Sequence, residues 1–403
     1  MNVIMVSPGF PLEMAYFTRA LAQTGARVIG VGDQPAYALP PEARDALAHY
    51  EHVSLADESA VLEALHGLSR HASFDQVECL WEPYMVLAAR IREVFGLPGL
   101  TVEQTLPFRD KELMKQVLDA AGIRTPRHAS SADVAGIYDA AERIGYPLII
   151  KPLSGAGSAD TFRVDDLAEL TEVLPMIKHV EVVSIEEFIE AEEYTYDTVC
   201  GAGTILHENI SWYRPRPLEA RSHEWISPQT VVLRDIDGDQ LAGGQAMGRD
   251  VLRTLGFRSG FTHMEWYRKD DGEVVFGEIG ARPPGARTVD VMNYATDGDL
   301  FRMWAEAVVH GESAPLERRF SAANLFKRAE GSGHITRIEG LDQLMAVYAD
   351  RVCVVDLLPI GAHRRDWRAT LLSDGMVIVR HPDLDGLLEM ADRFGTDLRM
   401  YAS

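Results

Sequence analysis

The chain has 403 residues, more than one hydrophobic core usually supports, so two or three domains are expected. Its 61 acidic against 39 basic residues give a formal charge of −22, a field that repels nucleic-acid backbones and anionic membrane surfaces and, with no basic patch in view, excludes both as partners. Three scattered cysteines, Cys79, Cys200 and Cys353, have neither the even count nor the spacing of a disulfide framework and fit a reducing compartment. The longest apolar runs, near residues 146–150 and 352–360, are strand-length and far below the roughly 20 residues that cross a bilayer. The N-terminus lacks the basic region of a signal peptide and runs straight into a strand pattern, so a soluble, cytoplasmic protein is expected.

In chain order, apolar runs at 3–6, 27–31 and 77–81 alternate with helical periodicity at 13–23 and 58–69, which predicts a small α/β unit with a parallel sheet. The loop after the first strand, Ser7-Pro8-Gly9-Phe10-Pro11, holds one glycine, too few for a dinucleotide fingerprint, and this argues against a nicotinamide dehydrogenase. Glu82 follows the last of these strands, where α/β sheets place ligand groups and where a helix N-terminal acid is equally at home. A helix over 111–121 is closed by Gly122, and Thr125-Pro126 opens a new segment, so a domain joint falls there. Lys111 opens that helix; read alone, it joins Glu112 and Lys115 in a salt-bridge network on a wet face.

Residues 146–158 place Lys151 at the end of a buried strand, followed by Ser154, Gly155, Ala156, Gly157 and Ser158. Such a loop lets backbone N–H groups approach phosphate oxygens and the lysine adds a point charge, although a single strand-end lysine is more often a solvated group. Residues 184–195 alternate apolar and acidic groups where a strand leads through a connector into another strand. Backbone groups there can reach an adenine edge, and Glu193 can accept from ribose hydroxyls; a solvated edge is the plainer alternative. Residues 211–225 form a long, proline-broken loop carrying Arg214, Arg216, Arg221 and His223, suited to reading an anionic group such as a substrate carboxylate.

Asp271-Gly272 is a two-residue hairpin signal, and folding about it sets Glu265 opposite Glu278 and His263 opposite Gly280. Two carboxylates so opposed repel unless a cation lies between them, and a divalent metal ion meets that need. Arg282 has the same strand parity as Glu278 and projects toward the same region. Pro283-Pro284-Gly285-Ala286-Arg287 then forms a rigid turn, able to contact substrate or simply to join strand to helix. Strands at 352–358 and 375–380 and a helix at 384–394 predict a third, smaller domain.

In this order and spacing, these pieces resemble the ATP-grasp superfamily, and within it the carboxylate–amine ligases that include bacterial L-amino-acid ligases; the resemblance is best over about 101–311. It implies an α/β and α+β chain: a Rossmann-like pre-ATP-grasp domain at 1–108, an ATP-grasp core at 109–311 with its ATP-binding subdomain at about 124–197, and a small C-terminal domain at 312–403. By the resemblance, Lys111 and Lys151 bind the α and β phosphates of ATP and Ser154 to Ser158 close over them. Glu186, Glu187, Phe188 and Ile189 form the adenine connector, and Glu193 holds the ribose. Glu265 and Glu278 are the ligands of Mg2+, with Mn2+ as a substitute, and Arg282 is the catalytic residue that steadies an acyl phosphate. Apart from the resemblance, the loop, hairpin and turn residues themselves offer His223, His263, Gly285 and Arg287 as contacts to the substrates, which by the resemblance are a small carboxylate and an amine; family members often form dimers, so a homodimer is an expectation. One position departs from the pattern, since Gly280 stands where many members carry an asparagine metal ligand. Bicarbonate activation of the biotin-carboxylase kind and a non-catalytic ATP-binding module are the alternatives.

Overall fold

The computed structural model describes residues 1–153, 160–368, 370 and 372–403. Four parallel strands, in the order Leu47–His52, Arg27–Gly32, Asn2–Val6 and Gln76–Glu78, open the chain as expected. The last of these stops three residues earlier than the apolar run, and the chain then turns into helical geometry at Glu82. One face of this sheet packs Ile4, Val6, Ile29 and Val77 against Val61 and Leu65 of helix Glu58–Ser69 and Ile91 of helix Met85–Phe95. Val3 and Met5 turn the other way, into a core that also holds Phe17, Phe301 and Trp304. Phe17 meets both of those rings edge-on, at 4.8 and 5.2 Å. The N-terminal unit is therefore fastened to the middle of the chain by shared apolar burial and aromatic edges.

A second sheet, antiparallel, runs His128–Ser131, Val183–Glu187, Leu148–Pro152, Phe162–Val164. It buries Leu148, Ile150 and Ile185 against Ile137 and Leu170 of its two helices.

The third sheet has eight strands, all antiparallel: Val274–Gly280, Gly260–Arg268, Glu192–Gly201, Thr204–Arg214, Gln229–Val232, Ser321–Phe326, Gly375–His381 and Val352–Leu357. It passes without a break across residue 311, so the last ninety or so residues extend this sheet before adding a three-stranded one of Glu330–Gly331, Arg399–Ala402 and Ile335–Glu339. Helix Asp239–Thr254 lies on one face so closely that a Cβ at Gly244 would stand 2.3 Å from Trp266 and one at Gly248 2.2 Å from Tyr196. Glycine is what lets helix and sheet approach to this distance.

The hairpin formed by Gly260–Arg268 and Val274–Gly280 corrects the expected turn. Lys269 N donates to Glu273 O and Gly272 N to Lys269 O, so the loop has three central residues, with Gly272 at φ +89°. That shifts the pairing by one, and Arg268 faces Val274 through Trp266 facing Phe276. A β-bulge at Gly277 then adds one residue back, and Glu265 faces Glu278. The opposition of the two glutamates thus rests on Gly277, whose Cβ would lie 2.8 Å from Glu265 O.

Candidate active site

Three elements converge on the glutamate pair. Helix Lys111–Ala120 is capped by Asp110, whose side chain accepts from the backbone N–H of Glu112 and Leu113, and its first residue, Lys111, forms an ion pair with Glu278. The wet-face reading of Lys111 fails on both its partners: Glu112 turns to His128, at 2.9 Å, and Lys115 is fully buried. Burial pushes the Glu278 carboxyl up, but Lys111 and Lys151 outweigh it and hold the group down at about 2. Glu265 accepts from Tyr213 Oη at 3.3 Å and lies 3.7 Å from His263 Nε2.

Glu186 sits in strand Val183–Glu187 with its carboxylate buried between two lysines, Lys115 at 2.7 Å on one oxygen and Lys151 at 2.9 Å on the other, with Ser184 Oγ donating at 2.7 Å. Burial alone would raise this carboxyl, and the two ammonium groups bring it well below the usual range. The expected adenine connector therefore starts two residues late, at Phe188, because Glu186 and Glu187 belong to the strand. Glu187 serves the frame, bonding Arg124 at 3.2 Å and the Arg127 amide at 3.0 Å. Phe188 is covered by two guanidinium groups, Arg163 at 4.3 Å and Arg216 at 5.1 Å from its ring centre, and Ile189 is buried. The predicted phosphate loop residues Ser154, Gly155, Gly157 and Ser158 lie outside the described residues.

Glu193, at the start of strand Glu192–Gly201, is buried and paired with Arg216 at 3.3 Å. Burial and then the nearby Glu265 carboxylate push its carboxyl up to about 8, and Arg216 only partly offsets them. A protonated glutamate beside two further carboxylates marks uncompensated negative charge. With Glu265 opposed to Glu278, the oxygen donors fit a hard divalent cation such as Mg2+. Among the described residues no cluster of three or more His, Cys, Asp or Glu side chains adds to this pair as a metal cage.

Arg282 reaches back to the first sheet, its Nε 2.7 Å from Glu82 Oε2, while Arg109 pairs with the other oxygen of the same carboxylate. Glu82 was ambiguous in the sequence and proves to be the anchor of two arginines. The space opposite His263 left by Gly280 is bounded by the Arg282 stem, whose Cγ would be 3.1 Å from a Cβ there. His263 itself turns to Asp197 on the neighbouring strand, at 2.6 Å. Asp197 also receives Thr195 Oγ1 at 2.7 Å and Asn209 Nδ2 at 3.0 Å.

The long loop expected from residue 211 begins later, since strand Thr204–Arg214 continues to Arg214 and a short helix, Pro217–Ala220, follows. Arg214 faces the C-terminal helix through Asp392 at 3.2 Å, and Arg221 donates to Arg368 O. His223 is exposed, takes a 2.6 Å bond with Ser222 Oγ, and leans on Trp225 with ring centres 5.4 Å apart. Gly285 accepts from Thr288 at the start of helix Thr288–Thr296. Arg287 adopts φ +61°, pairs with Asp290, and its backbone N–H reaches Glu13 at 3.2 Å, so it tethers the N-terminal unit and is not solvated. The structure thus gathers Lys111, Lys151, Glu193, Glu265, Glu278 and Arg282 around one region and sets His223 and Arg287 in other surroundings.

Sequence reasoning passed over Asp197, placed Lys115 on a wet face and read Arg216 as part of a loop facing an anionic group, whereas Lys115 is buried on Glu186 and Arg216 pairs with Glu193. Lys115 shares a helix face with Met114 and Leu118, both buried, and a lysine on an apolar stripe was the signal available.

An ATP-grasp model matches residues 116–295, which carry Lys151, the opposed Glu265 and Glu278 and the four-residue connector 188–191 between the two antiparallel sheets. Those residues form an ATP-grasp domain. The chain is 26% identical over 246 residues to an L-arginine-specific L-amino acid ligase of Bacillus subtilis, covering 58% of this chain and 59% of that one. It is 29% identical over 201 residues to D-alanine–D-alanine ligase B of Xanthomonas campestris pv. campestris, covering 48% and 62%. The chain therefore spans about six-tenths of the length of these curated relatives. The crystal structure of L-amino acid ligase from Bacillus licheniformis superposes with a TM-score of 0.79 at 20% identity, over 100% of this chain and 98% of that one, and shares the ATP-grasp fold. No helix among the described residues is long and apolar enough to cross a membrane.

Proposed function

We propose that this protein is an ATP-dependent carboxylate–amine ligase that activates a small carboxylate, an amino acid, and joins it to an amine with release of ADP and phosphate. The observation that carries the reading is the opposition of Glu265 and Glu278 beside Lys111, Lys151 and Arg282. Lys111 and Lys151 bind the phosphates of ATP, the backbone of Phe188 and Ile189 meets the adenine, and Glu193 takes the ribose. Glu265 and Glu278 hold Mg2+, which when bound neutralises charge on the phosphate oxygens. Residues 1–108, 109–311 and 312–403 act as three functional units in this reading, although one sheet crosses the second boundary.

A carboxylate is a poor electrophile and must first be activated. A carboxylate oxygen attacks the γ-phosphorus, the bond from that phosphorus to the bridging oxygen of ADP breaks, and an acyl phosphate forms. The amine then attacks the acyl carbon, phosphate leaves, and the nitrogen gives up a proton. Negative charge gathers first on the leaving ADP and then on the acyl oxygen. Lys111 and Lys151 meet the first and Arg282 the second, each as a charge fixed before the reaction and held away from bulk water. Glu82 keeps the Arg282 guanidinium in place.

The test is ADP release over a panel of amino-acid pairs, with hydroxylamine present to trap the acyl phosphate as a hydroxamate. Amino-acid-dependent ADP and a hydroxamate are expected, and both are lost in Glu265→Gln and Glu278→Gln. Unchanged ATP consumption in either variant, or ADP release that responds to bicarbonate and biotin alone, refutes the reading.

A further inference from the structure

At the far end of strand Glu192–Gly201 from Glu193 lies an open cleft of about 780 Å³, bounded by the turn after Cys200, the start of strand Thr204–Arg214, the end of helix Asp239–Thr254 and residues near 316–318. Apolar flanks come from Leu252, Phe257 and Leu316, and the polar lining is cationic, with Arg249, Arg253, Arg258 and Arg318 against Glu208 as the single acid. In a chain of charge −22 such a lining is against the average. Arg249 is fully committed to Glu208 through two bonds of 2.8 Å, and Arg253 pairs with Asp250. The other two are less compensated. Arg258 is exposed and donates to the Ala202 carbonyl at 3.3 Å, with no carboxylate partner among the described residues. Arg318 donates to the carbonyls of Arg234 and Glu208, and its nearest carboxylate, Asp237, is 3.9 Å away and almost wholly exposed.

Between these two arginines the strand carries a β-bulge, the register slipping from Ile205 to His207. Bulges re-aim side chains and recur beside binding sites. His207 is 6% exposed, lines the cleft, and has no hydrogen bond to its ring among the described residues. Burial, then Arg318, then the opposing pull of Asp197 and Glu208 leave its ring titrating low, at about 4, so it is a neutral donor near pH 7.

We infer that this cleft binds an organic phosphate, a compact dianion on an apolar body, at a site separate from the one that takes ATP. Two guanidinium groups match the double negative charge, the His207 N–H donates to a remaining oxygen, and Leu252, Phe257 and Leu316 receive the body. The site sits on the same two strands that hold Glu193 and Tyr213 at their other ends.

The experiment is calorimetric titration of phenyl phosphate, and in parallel benzoate, into the full chain and into Arg258→Gln and Lys151→Met. Arg258 is exposed, so that variant keeps its fold. Phenyl phosphate is expected to bind, to bind at least fivefold more weakly to Arg258→Gln, and to bind Lys151→Met within twofold of the unaltered chain. Benzoate is expected to bind at least fivefold more weakly than phenyl phosphate. No binding of phenyl phosphate at millimolar concentration, less than fivefold loss in Arg258→Gln, loss in Lys151→Met, or benzoate binding as tightly would each overturn the assignment.

Discussion

His263 and Asp197 face each other across adjacent strands and are joined by a 2.6 Å bond between Nδ1 and Oδ1. Burial opposes a charge on the ring, but Asp197 prevails and the imidazole titrates at about 9 against an ordinary 6.5. The sign of the linkage follows. A group raised in the folded state contributes stability fully below about pH 6.5, and that contribution is lost as pH rises through about 9. Asp197→Asn is expected to lower the His263 titration, read by NMR of the ring nitrogens, and to cost about 3 kcal/mol in denaturant unfolding at neutral pH, because one partner of a buried charged pair is removed. A ring that still titrates near its original value in the variant would show that Asp197 does not set it.

Glu193 gives the opposite-signed test among acids. Its folded carboxyl titrates at about 8 and an ordinary glutamate at 4.5, so between those values the folded protein holds a proton that the unfolded chain has released. Stability from this group is present at low pH and declines as pH rises through that window. Glu193→Gln, melted in chelator from about pH 5 to pH 8, is expected to lose less stability over the window than the unaltered chain. Parallel melting curves would show that Glu193 is ionised throughout.

Lys115 is wholly buried and its nearest acid is Glu186, which Lys151 also holds. Lys115→Met removes one of two charges from a buried carboxylate, and a loss of about 3 kcal/mol in unfolding free energy is expected. Adding Glu186→Gln should recover part of it, and the double-mutant cycle measures the coupling. Additive losses would mean that the pair is not energetically linked.

Gly277→Ala tests the bulge on which the facing glutamates depend. The new methyl group would lie 2.8 Å from the Glu265 carbonyl, so the strand must shift, with an expected loss of about 1–3 kcal/mol. ADP release is expected to fall with it, since Glu278 moves relative to Glu265. A variant of lowered stability and full turnover would show that the register tolerates the change.

Arg282→Ala removes the guanidinium proposed to meet the developing charge, and a loss of roughly a hundred- to a thousandfold in turnover is expected, with ADP affinity retained. Glu82→Gln keeps Arg282 but loosens its anchor, so a smaller loss of about tenfold is expected. Equal loss of turnover and nucleotide affinity in Arg282→Ala would remove it from the chemistry.

Much of this was legible in the residues, for reasons that can be named. The facing of Glu265 and Glu278 was reached by placing a two-residue turn at Asp271-Gly272, and it holds because a three-residue loop and a one-residue bulge shift the register by equal and opposite amounts. A periodicity of two makes a slip of one decisive, and nothing in the string Val-Phe-Gly-Glu singles out its glycine as a bulge. The parallel sheet was readable because its buried strands are short and continuously apolar. The ion pairs Lys115–Glu186 and Glu82–Arg282 were not, since they join residues 71 and 200 positions apart, and local pattern carries no information on such distances. The pairing of Arg214 with Asp392, 178 positions on, left no local trace either.

The eight-stranded sheet has a practical corollary for anyone dividing this chain. Cutting at Gly311 would strip Gln229–Val232 of Ser321–Phe326, its partner over four residue pairs, and take Ala323 and Leu325 out of the apolar core they share with Val231. An uncovered row of amide and carbonyl groups next to exposed hydrocarbon invites other copies to add on, so the ATP-grasp portion produced without its C-terminal strands should be recovered as aggregate.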